Sequence, residues 1–134
     1  MTQRWSSGGP YERRFGYSRS VAAGGHLWVS GCTSVVDGDL VGDGDAARQA
    51  QVALDNALAA VQQAGFTAGD VVRSRMYVVD LPRNGEAVAE VHGQVFADVL
   101  PAATLLGVAA LVDPRMLVEI ELEAYRAQSP GDGQ

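Results

Sequence analysis

Glu119, Glu121 and Glu123 stand at every second position near the C-terminal end of the chain and are its densest run of acid–base groups. Val118, Ile120, Leu122 and Ala124 interleave with them. In an extended segment the carboxylates therefore share one face and the apolar side chains the other. Such a row suits either a solvated sheet face or the wall of a pocket or subunit interface. In the second setting a carboxylate needs a cationic or hydrogen-bonding partner to stay ionised. Periodicity alone favours the solvated face. The sequence has one cysteine, Cys32, directly after Ser30-Gly31. Without a placed histidine base it reads as a small buried residue, although its position would let it reach a pocket. His26 begins an extended segment beside a turn and is expected to be exposed, and His92 is expected at the edge of a core near Phe96. Two histidines so placed form no metal-ligand spacing.

The basic residues narrow the chemistry further. All ten are arginine and none is lysine, which excludes a Schiff-base lysine mechanism. Arg73 and Arg75 share one side of an extended segment with Tyr77, and Arg75 is expected to pair with Glu119 or Glu121 across a sheet. Arg14 and Arg19 bracket Tyr17. The net charge of −6 and the dispersed arginines argue against a nucleic-acid partner. No apolar run is long enough to span a bilayer, so no membrane partner is expected. MTQRWSSGGP lacks the apolar segment of a signal peptide. One cysteine cannot form an internal disulfide, which fits a reducing cytoplasm.

The elements that must position these groups follow from pattern. At 134 residues the chain suits one compact domain, 1–134, with 1–10 an irregular arm and 127–134 a second flexible end. Tyr17, Arg19 and Val21 alternate with Ser18, Ser20 and Ala22 as in a strand. Gly24-Gly25 is a tight hairpin signal leading to a second strand, His26 to Ser30, closed by Gly31. Asp37-Gly38-Asp39 marks another turn. Ala46 to Ala64 is the clearest helix, with Asp45 as N-cap and Gly65 where a C-terminal cap belongs. Its seam comprises Ala47, Ala50, Leu54, Ala57, Leu58 and Val61. Val71 to Val79 is a strand, Glu86 to Val99 a second helix, and Ala103 to Val108 a short strand expected to be buried on both faces. After the break at Asp113-Pro114, Leu117 to Tyr125 is a strand expected to follow its predecessor across a turn. The order predicts an α+β fold: one mixed sheet with both helices on one face. The other face carries aromatic residues beside Arg and Glu, and is most simply covered by further copies of the chain.

Several stretches together resemble the Rid/YjgF family. They are GYSR at Gly16, the strand ending VSG, LDNALAAVQQAG, DVVRSRMYVVDL and PAAT followed by VEIE, spanning Tyr17 to Tyr125. The resemblance implies a chorismate-mutase-like single domain with a mixed six-stranded sheet, a homotrimer, and small-molecule sites between subunits. It also implies hydrolysis of reactive enamines and imines to ketones and ammonia without a metal or organic cofactor. Carried over by position, the catalytic glutamate is Glu119, which holds or activates water, and the pocket tyrosine is Tyr17. Substrate-lining positions are Ser30, Gly31, Cys32, Ala103 and Thr104; because Arg14 and Arg19 bracket Tyr17, either of them is the expected substitute anchor. The family's PAR(S/T) arginine, which holds the substrate carboxylate, is replaced here by Ala103 within Pro101-Ala102-Ala103-Thr104. Alanine offers neither charge nor bidentate geometry, so weak activity on carboxylate-bearing imines is expected. The resemblance thus leads to a pathway-specific enzyme acting on an imine or enamine. A broad 2-imino-acid deaminase and a non-catalytic ligand-binding trimer are the alternatives.

Overall fold

The computed structural model describes residues 2–127. The expected flexible end at 127–134 lies, beyond Ala127, outside the described residues. The elements in chain order are β1 (Gln3–Trp5), α1 (Pro10–Phe15), β2 (Ser20–Ala23), β3 (His26–Cys32), β4 (Val35–Val36) and β5 (Asp39–Leu40). They continue with α2 (Ala46–Gln63), β6 (Val71–Val79), α3 (Leu81–Val95), β7 (Ala102–Val108) and β8 (Val118–Tyr125). Six strands form one mixed sheet in the order β1-β2-β3-β8-β6-β7, and β4 and β5 form a separate hairpin. Only β6 and β7 run parallel, joined through α3, and every other pairing in the large sheet is antiparallel. The α+β class and the placing of both long helices over one face of the sheet are as predicted.

The core lies between that face and α2 and α3. Leu27, Val29, Met76, Val78, Val118, Ile120 and Leu122 from the strands meet Leu54, Ala57, Val61, Val88 and Phe96. Helix α2 starts and stops where its residues dictate. The Asp45 carboxylate accepts from the Arg48 backbone N–H at 3.0 Å, satisfying one orphan donor of the first turn. At the other end Gly65 takes φ 87°, and the Phe66 N–H reaches back to the Val61 carbonyl, as a left-handed cap requires. Among the described residues no helix is long and apolar enough to cross a membrane.

Four expectations need correction. The first ten residues are not all irregular: Gln3–Trp5 pairs with β2, and Pro10 opens α1, where a missing N–H costs nothing. Helix α3 begins at Leu81 rather than Glu86, because Pro82 sits in its first turn and Gly85 is accommodated inside the helix. A Cβ on Gly85 would come within 2.8 Å of a Leu81 methyl, so glycine permits that packing. Strand β7 is an edge strand with Ala103 and Leu106 exposed, and so is not buried on both faces. Nor does β8 follow β7 in the sheet, since β6 lies between them.

Candidate functional site

A bulge in β3 shapes the most constrained part of the polar sheet face. Val29 pairs with Leu122 and Cys32 with Ile120, so Ser30 and Gly31 together oppose the single residue Glu121. The extra residue is held from the other side by Arg19. Its Nη1 donates to the Ser30 carbonyl at 3.1 Å and the Gly31 carbonyl at 2.8 Å, and lies 3.2 Å from Cys32 Sγ. The Ser30 hydroxyl adds a 2.7 Å bond to the Ser18 carbonyl. Behind Arg19 is Glu12, which is only 5% exposed and accepts from the Ser6 and Ser7 hydroxyls and the Ser7 N–H. Its carboxylate lies 3.9 Å from Arg19 Nε. The sequence reading missed Glu12, whose burial no local apolar pattern announces.

Over this bulge sits Glu119. A Cβ added to Gly31 would fall 2.6 Å from Glu119 Oε2, so any larger residue at 31 would displace the carboxylate. Among the described residues Glu119 receives no hydrogen bond. Burial pushes its pKa up, the negative charge of Glu121 pushes the same way, and Arg19 opposes both. The neighbouring carboxylates differ. Glu121 accepts from the Tyr77 hydroxyl at 2.7 Å, and Glu123 is held by Arg75 at 2.8 Å and by His26 at 3.3 Å. Arg75 thus pairs closely with Glu123, at 3.6 Å with Glu121, and not with Glu119. His26, expected to be exposed, is half-buried and stacks on Trp28 with ring centroids 4.3 Å apart. The i, i+2 spacing of these two rings on one strand face was the available signal. Cys32 is 5% exposed and burial raises its thiol pKa against the opposing pull of Arg19, which disfavours a resting thiolate.

The remaining candidates are elsewhere in the chain. Tyr17 is exposed and, with Tyr11, Arg14, Phe15 and Val112, borders an open groove of ≈ 390 Å³. A groove of ≈ 400 Å³ on the sheet face is bordered by Trp28, Ser30, Arg75, Glu121 and Glu123. Ala103 pairs with Ser74, whose side chain is buried on the helix-covered face, so register directs the two residues to the same side. Glu119 pairs with Tyr77 on the polar face. Ala103 and Glu119 therefore do not meet within one chain. Thr104 is on the polar face and its hydroxyl accepts from Arg73 Nη2 at 2.6 Å. The structure thus brings together Arg19, Ser30, Gly31, Cys32 and Glu119, whereas Tyr17 borders a different groove and Ala103 and Thr104 stand on the edge strand β7. Among the described residues no cluster of three His, Cys, Asp or Glu side chains is arranged to hold a metal ion.

Comparison with known proteins bears on what this arrangement belongs to. The uncharacterized protein SCO2049 of Streptomyces coelicolor is 39% identical over 124 residues, covering 92% of each chain. The crystal structure of Rv2704 from Mycobacterium tuberculosis, described as a member of the YjgF/YER057c/UK114 family, superposes with a TM-score of 0.84 at 40% identity. It covers 94% of this chain and 100% of that one. E. coli TdcF, solved with bound serine, gives a TM-score of 0.77 at 27% identity over 92% and 94% of the two chains. The family model described as Endoribonuclease L-PSP matches residues 11–126, and the chain belongs to this family, the YjgF/Rid proteins.

Proposed function

We propose that the chain is a small enzyme that hydrolyses or tautomerises a reactive imine or enamine, in a pocket completed by a neighbouring copy within a homotrimer. The observation that carries this reading is Glu119. It is a half-buried carboxylate with no hydrogen-bond donor among the described residues, packed so closely on Gly31 that a Cβ there would displace it, with its pKa raised. A carboxylate adjusted in that direction suits general acid–base work at neutral pH. Glu119 takes a proton from water as the oxygen attacks the C=N carbon, and hands that proton on to the nitrogen. The resulting carbinolamine expels ammonia, leaving the ketone. Arg19 and the Ser30-Gly31 carbonyls fix the floor of the site, and Tyr17 closes it from the adjoining copy. Because imine hydrolysis is fast without a catalyst, the site needs to supply only a few kcal/mol, on the order of a thousand-fold. TdcF carries serine in its crystal structure, so one relative of this fold holds a small polar ligand. The lone buried Cys32 is in keeping with a reducing, cytoplasmic setting. A net charge of −6 weighs against the RNA cleavage that the family description names.

A second reading, a ligand-binding trimer without turnover, is favoured by Ala103, the position at which the resemblance places a carboxylate-binding arginine. One assay separates the two. Imines are generated in situ, neutral ones by an amine oxidase and carboxylate-bearing ones by an amino-acid oxidase, and their lifetime is followed by trapping with semicarbazide. The wild-type chain is expected to lower the trapped fraction of at least one class. Glu119→Gln should lose about a hundred-fold or more of that acceleration while keeping its mass. Wild-type protein that shortens the lifetime of neither class supports the binder instead.

A further inference from the structure

The imine chemistry leaves Glu12, a buried acid, without a task. It sits in the first turn of α1 and is almost closed off from water. Burial opposes its charge, but the Ser7 and Ser6 hydroxyls, the Ser7 N–H and Arg19 outweigh it and hold the carboxyl below its ordinary pKa. Glu12 is therefore a fixed negative charge behind Arg19. Its carboxylate lies 3.9 Å from Arg19 Nε, while a different nitrogen, Nη1, reaches the Ser30 and Gly31 carbonyls. The Arg19 backbone is fixed as well. Its N–H donates to the Trp5 carbonyl and its carbonyl accepts from the Ser30 N–H, each at 2.9 Å. The Glu12 carbonyl also accepts from the Gly16 and Tyr17 N–H groups at 2.9 Å, which holds the segment leading to Arg19. Arg19 in turn is the cation that favours the Glu119 charge. The other titratable groups facing Glu119 are Glu121 on its own strand, Cys32 on β3 and Tyr77 on β6, and none of these is positive.

We propose that Glu12 is a positioning residue for Glu119: it aims the Arg19 guanidinium at the Ser30-Gly31 bulge, and so fixes both the floor and the cationic neighbour of the Glu119 carboxylate. This rests on the reading of Glu119 as the acid–base group. An arginine side chain has several rotatable bonds and leaves its place readily once a fixed partner is lost. Neutral carbonyls hold this guanidinium through Nη1, whereas the ionised acid beside Nε orients the rest of its plane and offsets the burial of its charge. Removing the Glu12 charge then has two effects of opposite sign. Through space alone, loss of a negative charge makes Glu119 easier to ionise. Through Arg19, loss of aim withdraws the cation and makes Glu119 harder to ionise. The second effect is the larger, because Arg19 touches the bulge under Glu119 and Glu12 stands behind it.

The test reads Glu119 directly and needs no substrate. The full chain is labelled with carbon-13 at the glutamate side-chain carboxyls and titrated by NMR from about pH 3 to 9. The Glu119 resonance is the one that Glu119→Gln removes. Arg19→Gln should raise the Glu119 midpoint, and Glu12→Gln should raise it too, by about half a pH unit or more. The double variant should raise it no further than Arg19→Gln alone, because the effect runs through that guanidinium. Glu12→Asp keeps the charge but shortens its reach, and should fall between wild type and Glu12→Gln. An unchanged or lowered midpoint in folded Glu12→Gln overturns the proposal and leaves Glu12 as a staple for loop 6–9. An equal rise in the Arg19→Gln background overturns it as well. If Glu12→Gln does not fold, Ser7→Ala loosens the carboxylate without removing its charge and should give a smaller rise; no rise there overturns the proposal. Imine turnover, followed on the same variants, should shift its pH dependence with the midpoint. Turnover with no midpoint change removes the positioning role alone. A midpoint rise in a chain without turnover leaves that role standing while the enzymatic reading falls.

Discussion

At Glu119 the proposed chemistry and the stability of the fold oppose each other. Its carboxylate is placed where burial and Glu121 both disfavour the charge, and only Arg19 offsets them. The consequence for stability has a definite sign. A carboxyl whose pKa is higher in the folded chain than in the unfolded one holds its proton more tightly when folded. That contribution is fully present below the ordinary carboxylate range and is lost as pH rises through the raised folded value. Glu119→Gln removes the dependence. In urea titrations from about pH 3 to 8, the variant is therefore expected to gain stability over wild type as the pH rises, with the gap closing in acid. A pH-independent gap, or one that widens in acid, would show that Glu119 is not strained in the fold. Arg19 explains why the residue could not be weighed from sequence. The three glutamates look equivalent there, and what distinguishes them is which cation each meets after folding.

At the scale of elements, legibility followed how local the determinant was. Helix α2 was readable because its cap, seam and stop all lie within its own residues, and the acidic face of β8 was readable from its alternation. The start of α3 was not, since Pro82 and Asn84-Gly85 look like breakers when the neighbours that accommodate them are unknown. Least readable was the insertion of β6 between β7 and β8, a pairing of distant segments that no local spacing records. The same non-local order separates Ala103 from Glu119. A side chain can also carry such long-range information. Gln49 on α2 is fully buried, donates to the Gly42 carbonyl at 3.0 Å and the Arg115 carbonyl at 2.9 Å, and accepts from the Leu117 N–H at 2.8 Å. It ties the loop entering β8 to the first turns of α2. Gln49→Met keeps the volume but leaves these backbone groups unpaired, which should cost about 2–4 kcal/mol. Chemical denaturation measures the loss directly. A loss under ~0.5 kcal/mol would mean that water takes over the three bonds.

For the whole molecule, the decisive quantity is how many copies assemble. One face of the sheet is sealed by α2 and α3, while the other exposes Trp28, 44% accessible, beside a ladder of Arg75, Tyr77, Glu121 and Glu123. Tyr11, Phe15, Tyr17 and the edge residue Leu106 are also exposed on the single chain. A lone domain seldom leaves this much aromatic surface in water, and the paired charges make the face self-complementary rather than uniformly repulsive. A homotrimer is the proposed solution. It would cover the open groove beside Tyr17 and the polar face that carries Glu119. Light scattering at micromolar concentration should give three times the chain mass, and Trp28 fluorescence should shift to the red on dissociation. Introducing a charge by Trp28→Glu should shift the population towards monomer and remove catalysis together with assembly, because the proposed site is built from more than one copy. A monomer that still shortened imine lifetimes would place the whole site within one chain and refute the shared pocket.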